Sequence, residues 1–331
     1  MIEGQSLNDN PSISVVTSLY YSAPHIEEFC HRMRFELEKY THDYQMIFVN
    51  DGSPDNSLEV ILRIQQSEQR IEVIDLSRNF GHHKALMTGL GYAKKNLVFL
   101  IDVDLEEVPE LLTPLYRAMK ETGAEMAYGV QQKRKGKIGE RFSGWLFYKV
   151  LSLLSNIKIP ENVLMARLMT QQFVRDLVSF REHELFLNGI MASVGYRQQA
   201  VVVPKGSKGT TTYSWKRRWK LALNGITSFS DRPLILTFLF GIIITLTSFC
   251  ALAVLCIRWY LEGAELGWTS LICSIFLSTG LIIFCVGIIS LYLSKIFVEV
   301  KNRPYSIVRN HFMAREAIEH SKVRLTSPRT S

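Results

Sequence analysis

Only five of the 331 residues are cysteine, and none are spaced as in a metal site or a disulfide framework. Cys250, Cys256, Cys273 and Cys285 fall inside strongly apolar runs, which leaves Cys30 alone in the polar part of the chain. All five read as small apolar residues of a reducing compartment, and a disulfide-stapled secreted domain is excluded. Internal repeats and low-complexity tracts are also lacking, and the polar start MIEGQSLNDNP shows no cleavable signal peptide. Two long stretches lack charge altogether: Pro233 to Ile257 and Thr269 to Leu293 contain no Asp, Glu, Lys or Arg. Each exceeds the roughly 20 residues that cross a bilayer as a helix, and both are expected to span.

The charges that are present flank those runs unevenly. Lys216, Arg217, Arg218, Lys220 and Arg232 precede the first, Lys295, Lys301 and Arg303 follow the second, and the connection carries Arg258, Glu262 and Glu265. The positive-inside rule then puts both termini, and everything before Pro233, in the cytoplasm. A net charge of +7 and a pI near 9.1 call for an acidic partner: nucleic acid, an anionic membrane surface or a phosphorylated substrate.

Before Pro233, short β-rich runs alternate with amphipathic stretches. Strands are expected at Ile13–Leu19, Tyr44–Asn50, Ile71–Leu76, Leu97–Ile101 and Glu125–Val130, and helices near His25–Tyr40, Ser57–Gln69, His83–Lys95 and Pro109–Thr122. This order predicts an α/β fold with a doubly wound, mostly parallel sheet. Ligands of such sheets bind beyond the carboxyl ends of the strands. Asn50-Asp51-Gly52-Ser53, Ser77-Arg78-Asn79 and Asp102-Val103-Asp104 each follow a strand there. Any one of them is compatible with an ordinary turn, but three successive strand ends converge on one cleft.

If the fourth strand continued, Asp102 and Asp104 would share a face and Glu106 would extend the line. Three crowded carboxylates need a cation. Hard oxygen ligands suit Mg²⁺ or Mn²⁺, with a nucleotide diphosphate completing the coordination. Glu107 and Glu110 read instead as the acidic first turn of a helix beginning near Pro109. His82 and His83 have no partner at metal-ligand spacing and read as solvated loop residues or a helix start.

IFVNDGSPDNS, LSRNFGHHKALMTGL and LIDVDLEEVPELL resemble the motifs of family 2 glycosyltransferases of GT-A fold. LALNGITSFSDRPL and LYLSKIFVEVKNRPYSIV resemble segments of bacterial polyprenyl-phosphate glycosyltransferases, so that the likeness runs over about residues 12 to 308. The resemblance implies nucleotide-sugar contacts from Ser18, Tyr20, Asp51, Arg78, Lys84 and Asp102, with Asp51 as the nucleobase-binding acid. It implies a metal held by Asp102, Asp104 and Glu106, catalytic roles for Asp104, Arg134 and Arg167, and an acceptor phosphate met by Arg134 and Lys205. Met165 stands where relatives usually have an Asp proposed as base, and Asn188 and Ser193 where they have Arg and Trp. A lipid phosphate with a second pKa near 6 is already ionised at neutral pH, so positioning and charge neutralisation replace a base.

Two further stretches mix basic and aromatic residues. Lys133, Arg134, Lys135 and Lys137 precede Trp145, Phe147 and Tyr148, and Trp215 and Trp219 interleave with Lys216 to Lys220. Both read as interfacial segments meeting anionic headgroups, and no nucleic-acid-binding module is recognisable. The expected organisation is a nucleotide-sugar-binding core over residues 1–132, an acceptor region with interfacial amphipathic helices over 133–232, two transmembrane helices over 233–293 and a basic cytoplasmic tail over 294–331. The resemblance further implies a multi-pass protein of the bacterial inner membrane that moves a hexose, UDP-linked by first preference and GDP-mannose by second, onto undecaprenyl or another polyprenyl phosphate with inversion. Such a product would serve surface-polysaccharide, O-antigen or lipid A modification. It also implies association of copies through C-terminal segments, and the departures at Met165, Asn188 and Ser193 leave an inactive membrane scaffold as the rival.

Overall fold

The computed structural model describes residues 11–131, 163–180, 182, 187–203 and 267–313, with scattered positions between 234 and 261. The chain divides into two compact units: residues 1–142, 159–212 and 304–331 form one, and residues 143–158 and 213–303 the other.

The first unit is built on an eight-stranded mixed sheet. Its strands are β1 (Ile13–Leu19), β2 (Tyr44–Asn50), β3 (Ile71–Leu76), β4 (Leu97–Leu100), β5 (Met126–Gln131), β6 (Val163–Thr170), β7 (Gln198–Val203) and β8 (Val308–Phe312), in the spatial order β7-β5-β6-β4-β1-β2-β3-β8. β4, β1, β2 and β3 run parallel, in registers that pair Leu19 with Asn50, Asn50 with Asp75, and Val16 with Leu100. Every residue of these four strands is buried, as their continuous apolar runs predict for strands covered on both faces.

Helices α1 (Ile26–Glu38), α2 (Ser57–Ser67), α3 (His82–Leu90) and α4 (Leu112–Thr122, preceded by a 3₁₀ turn at Pro109–Leu111) connect them. α1 shows why these segments coil. Ile26, Phe29, Cys30, Met33 and Leu37 recur at helical spacing and are all buried, and Phe29 meets Phe48 of β2 edge to face at 6.0 Å. Two short helices follow β6, α5 (Gln171–Ser179) and α6 (Leu187–Ser193), and Thr170 caps α5 by accepting from the Phe173 N–H at 3.3 Å.

The parallel centre matches expectation, but the flanks do not continue it. β5 does not sit beside β4, because β6 lies between them and runs antiparallel to both. At the other edge β8 runs antiparallel to β3. Part of the segment expected as a basic cytoplasmic tail therefore contributes a strand to the chain's own sheet. Polar side chains hold it there: His311 on Glu72, Asn310 on Asp75 at 3.3 Å, and Gln65 on the Phe312 carbonyl at 3.0 Å.

In the second unit, helix α7 (Trp268–Val300) covers the second expected span and runs past Leu293. An 18-residue stretch within Ser278–Val300 reaches a mean hydropathy of 2.4, and α7 is the one helix among the described residues long and apolar enough to cross a membrane. At about 1.5 Å per residue, those residues have ample reach for a hydrocarbon core. Most of the first expected span, Pro233 to Ile257, lies outside the described residues, as do the two basic aromatic stretches.

Candidate active site

Because β1 to β4 are parallel, their carboxyl ends open on one edge of the sheet, and the polar residues read from the sequence meet there. Asp51 follows β2 directly and is 2% exposed. Its two carboxylate oxygens accept from the Phe80 N–H at 2.7 Å and the Gly81 N–H at 3.0 Å, tying the loop after β3 to the end of β2. Burial pushes this carboxyl above its ordinary value, against the pull of those two N–H groups and of nearby His82 and Arg78. Gly52 takes the left-handed conformation at φ 59°, and a Cβ there would stand 2.6 Å from both the Arg78 carbonyl carbon and the Asn79 nitrogen. The two loops thus touch backbone to backbone, which only glycine permits.

Around this contact a polar web fixes the β1 loop. Ser53 Oγ accepts from the Tyr21 N–H at 2.8 Å and donates to Asp55 at 2.5 Å, and Asp55 also accepts from Ser57 Oγ at 2.6 Å and the Ala23 N–H at 3.2 Å. Tyr20 and Tyr21 are left on the rim, 49% and 63% exposed, as an edge-to-face pair with centroids 4.9 Å apart. Arg78 is exposed and stacks its guanidinium over Phe80 at 4.1 Å.

Gly81, at φ 102°, turns the chain into α3, whose first residue is His82. The helix-start alternative for His82 therefore holds, but the side chain is not merely solvated. Its Nδ1 lies 2.9 Å from Ser18 Oγ and its Nε2 3.3 Å from Asp102 Oδ1. Desolvation holds this imidazole below its ordinary pKa, against the pull of Asp51 and Asp104. Lys84 lies in the same first turn, partly exposed.

The acidic run departs from its expected shape. β4 ends at Leu100, and Asp104 Oδ1 accepts from the Glu106 N–H at 3.0 Å while Leu105 takes φ 60°. The chain therefore reverses after Asp104 instead of continuing as a strand, and alternation no longer brings Glu106 onto one face with the two aspartates. Among the described residues no three acidic, histidine or cysteine side chains are grouped to hold a metal. The donor set fits a hard cation only as an incomplete one: carboxylates from Asp102 and Asp104, with remaining positions for diphosphate and water.

Residues 14–178 match the family model described as Glycosyl transferase family 2. A Mycobacterium tuberculosis protein grouped by name with glycosyltransferases is 43% identical over 90% of this chain and 87% of its own length. The chain belongs to glycosyltransferase family 2. The SfII prophage-derived bactoprenol glucosyl transferase of Shigella flexneri is 32% identical over 90% of this chain and 98% of its own. Among solved structures, the mannosyltransferase PcManGT from Pyrobaculum calidifontis in complex with GDP-Man and Mn2+ shares 16% identity, with coverage of 88% and 87% and a TM-score of 0.47, a likeness too slight to carry an argument.

Family 2 membership directs attention to β6, which carries Met165 and Arg167. Glu107, expected as a dipole-complementing helix start, is instead 5% exposed and receives the Met165 N–H at 2.9 Å and the Ala166 N–H at 2.5 Å. Arg167, expected as a catalytic contact, is 2% exposed. It donates to Asn188 Oδ1 at 2.5 Å, to the Leu164 carbonyl at 3.3 Å and to Met191 sulfur. Burial lowers its pKa to about 10, with Glu107, Tyr128 and Asp102 opposing the drop, so it remains a cation at neutral pH. This burial follows from β6 being an inner strand: cross-strand neighbours Leu100 and Tyr128 flank its Arg167 position. Asn188 takes part in this buried cluster, and Ser193 donates within α6 to the Gly189 carbonyl at 2.9 Å. Arg134 and Lys205 lie outside the described residues.

The structure thus brings Ser18, Asp51, His82 and Asp102 to one sheet edge. It gives His82 and Glu107 partners that the sequence reading did not assign to them. The only sequence signal for His82 was its place after the loop that closes the third strand, and Glu107 had none.

Proposed function

We propose that the chain is a divalent-metal-dependent hexosyltransferase that moves a sugar from a nucleotide, UDP-linked by preference, to a polyprenyl phosphate with inversion. The observation that carries this reading is the convergence of Ser18, Asp51, His82 and Asp102 on the carboxyl edge of the parallel strands in a family 2 chain. The acceptor is suggested by the relatives named bactoprenol glucosyl transferase and by α7.

In this reading the exposed Tyr20–Tyr21 pair offers the base a stacking surface, while Asp51, Arg78 and Lys84 line the nucleotide's path. A bound Mg²⁺ or Mn²⁺ at Asp102 and Asp104 supplies charge neutralisation for the departing diphosphate. Glu106 closes the turn behind them. The lipid phosphate oxygen attacks the anomeric carbon as the bond to the nucleoside diphosphate breaks, and an ionised phosphate monoester has no proton to lose, which suits Met165 where a base would stand. Buried Arg167 acts from behind, as a fixed positive charge beside Asp102. Arg134 and Lys205 are assigned to the acceptor phosphate from sequence.

The membrane assignment is two spans, with the catalytic unit and both termini cytoplasmic, in a bacterial inner membrane. For α7 as one of those spans, support comes from its hydroxyls. Ser278, Thr279 and Ser290 donate to carbonyls four residues back at 2.7, 2.8 and 2.8 Å, which satisfies them without water.

The full chain in detergent, given undecaprenyl phosphate and either UDP-glucose or GDP-mannose, should form a lipid-linked hexose with Mn²⁺ and none with EDTA, read by product mass. Absence of product with both donors would overturn the reading, and product from GDP-mannose alone would replace the donor. Asp104→Asn should abolish turnover while leaving membrane insertion unchanged.

A further inference from the structure

The carboxyl edge of the sheet contains one side chain that joins elements otherwise far apart in sequence. His82 reaches Ser18 at the end of β1 with one ring nitrogen and Asp102 beyond β4 with the other. Its own position is set from β2, because Asp51 grips the Phe80 and Gly81 N–H groups immediately before it. Gly81, at φ 102°, then aims the first turn of α3 at the cleft. Three strand ends are therefore referenced to one imidazole.

We propose that His82 is a positioning residue that holds the Asp102 carboxylate in the orientation used for nucleotide and metal, and that Asp51 acts in part by placing His82. This rests on the reading of the cleft as a nucleotide-sugar site.

Nε2 approaches Asp102 Oδ1 at 3.3 Å, a contact of polar groups and not a closed hydrogen bond, so the ring acts on this carboxylate in the tautomer with the proton on Nε2, in which the Ser18 hydroxyl donates to Nδ1. The rigid ring converts the Ser18 contact into a fixed direction for Nε2. Asp102 follows β4 by two residues, next to Ile101, whose N–H makes the last bond to β1 at the Val16 carbonyl, 3.2 Å. Outer partners of this kind orient metal-binding groups, and their loss typically costs about 10–100-fold in metal affinity.

The two nitrogens can be replaced separately. Asn places its side-chain carbonyl oxygen near the Nδ1 position and keeps an acceptor for Ser18, whereas Gln extends its amide nitrogen to the Nε2 position and keeps a donor for Asp102. With the full chain in detergent, UDP binding is titrated calorimetrically across a MnCl₂ series for wild type, His82→Ala, His82→Asn and His82→Gln, and thermal unfolding is recorded for each. His82→Ala and His82→Asn should weaken Mn²⁺-dependent UDP binding about 10–100-fold, and His82→Gln should recover most of it, with melting temperatures unchanged. If His82→Ala fails to fold, the contrast between Asn and Gln still decides. Wild type that binds neither UDP nor GDP in a metal-dependent way would overturn the reading of the cleft and the proposal with it. Metal-dependent binding that is equal in wild type and His82→Asn, or equally lost in His82→Asn and His82→Gln, would overturn the role of His82 alone.

Discussion

Glu107 offers the most direct test of how β6 is held. Its carboxylate is 5% exposed and receives two consecutive N–H groups, Met165 at 2.9 Å and Ala166 at 2.5 Å, with the Arg167 cation nearby. A hydrogen bond to a charged group contributes about 1.5–3 kcal/mol, and a buried donor left unmet costs about 1–3 kcal/mol. Glu107→Ala removes both bonds and an opposing charge for Arg167, so a loss of about 3–5 kcal/mol follows. Glu107→Gln keeps one acceptor but turns an amide donor toward the other N–H, for a loss of about 2–3 kcal/mol. At about 2–4 °C per kcal/mol for a domain of this size, Glu107→Ala should lower the melting temperature by about 6–20 °C and Glu107→Gln by about 4–12 °C. Differential scanning fluorimetry of the purified chain measures both. A Glu107→Ala variant that melts with wild type would refute the clamp, and a Glu107→Gln variant as damaged as Ala would refute the split between lost bonds and lost charge.

Gly52→Ala should impair the cleft more than its size suggests: the left-handed backbone costs about 1–2 kcal/mol for alanine, and the added methyl meets the Arg78–Asn79 backbone at 2.6 Å. Weaker UDP binding together with a lower melting temperature would show this, and wild-type affinity would contradict it. Burial, with Glu68 and Glu27 nearby, pushes the Cys30 thiol up to about 12 from its ordinary 9.0, so peptide mapping after iodoacetamide at pH 8 should find Cys30 unmodified in the native chain and modified after denaturation. Because the native state keeps this proton and the unfolded state does not, the contribution of Cys30 to stability is complete below pH 9 and is lost between there and about pH 12, and a melting temperature flat across that range in a Cys30-dependent comparison would count against it. Arg32 grips Glu110 with two nitrogens at 3.0 and 2.7 Å, yet the side chains are 30% and 47% exposed, so Arg32→Ala should cost at most about 1 kcal/mol; a larger loss in chemical denaturation would refute that assignment.

The parallel centre of the fold was legible because its strands are continuous apolar runs bounded by turn residues, so β1, β2 and β3 begin and end where the sequence pattern does. β6 escaped notice because VLMARLMT places a charge mid-run, and only the burial of Arg167 among Asn188, Met191 and the Leu164 carbonyl makes that charge compatible with an inner strand. β8 carries no local signal at all. VRNHF is polar, and its pairing depends on Glu72 and Asp75, more than two hundred residues earlier. The same division holds in the site: Asp51 and Asp102 follow from strand ends, whereas the partnership of His82 with Ser18 and Asp102 is set by tertiary geometry. The local path at Glu106 escaped the pattern for the complementary reason, since alternation assumes a strand that Asp104 and Leu105 bring to an end.

β8 also bears on the cleft itself. The Ser77 N–H donates to the Ile307 carbonyl at 2.9 Å, and Arg309 donates to the Ser77 carbonyl at 2.5 Å, so both backbone groups of the residue just after β3 are held by the segment after α7. Thr88 of α3 meets Ser306 at 2.6 Å, one turn from Lys84. Ser77 leads directly into Arg78, Asn79 and the Phe80–Gly81 turn that Asp51 grips, and α3 begins with His82. The segment from Ser77 to Thr88, which carries His82, is therefore held near both its ends by residues 306–309, and between them by Asp51. A sequence motif that looks self-contained, Ser-Arg-Asn followed by Phe-Gly-His, depends for its shape on a strand that follows the apolar helix α7 in the chain.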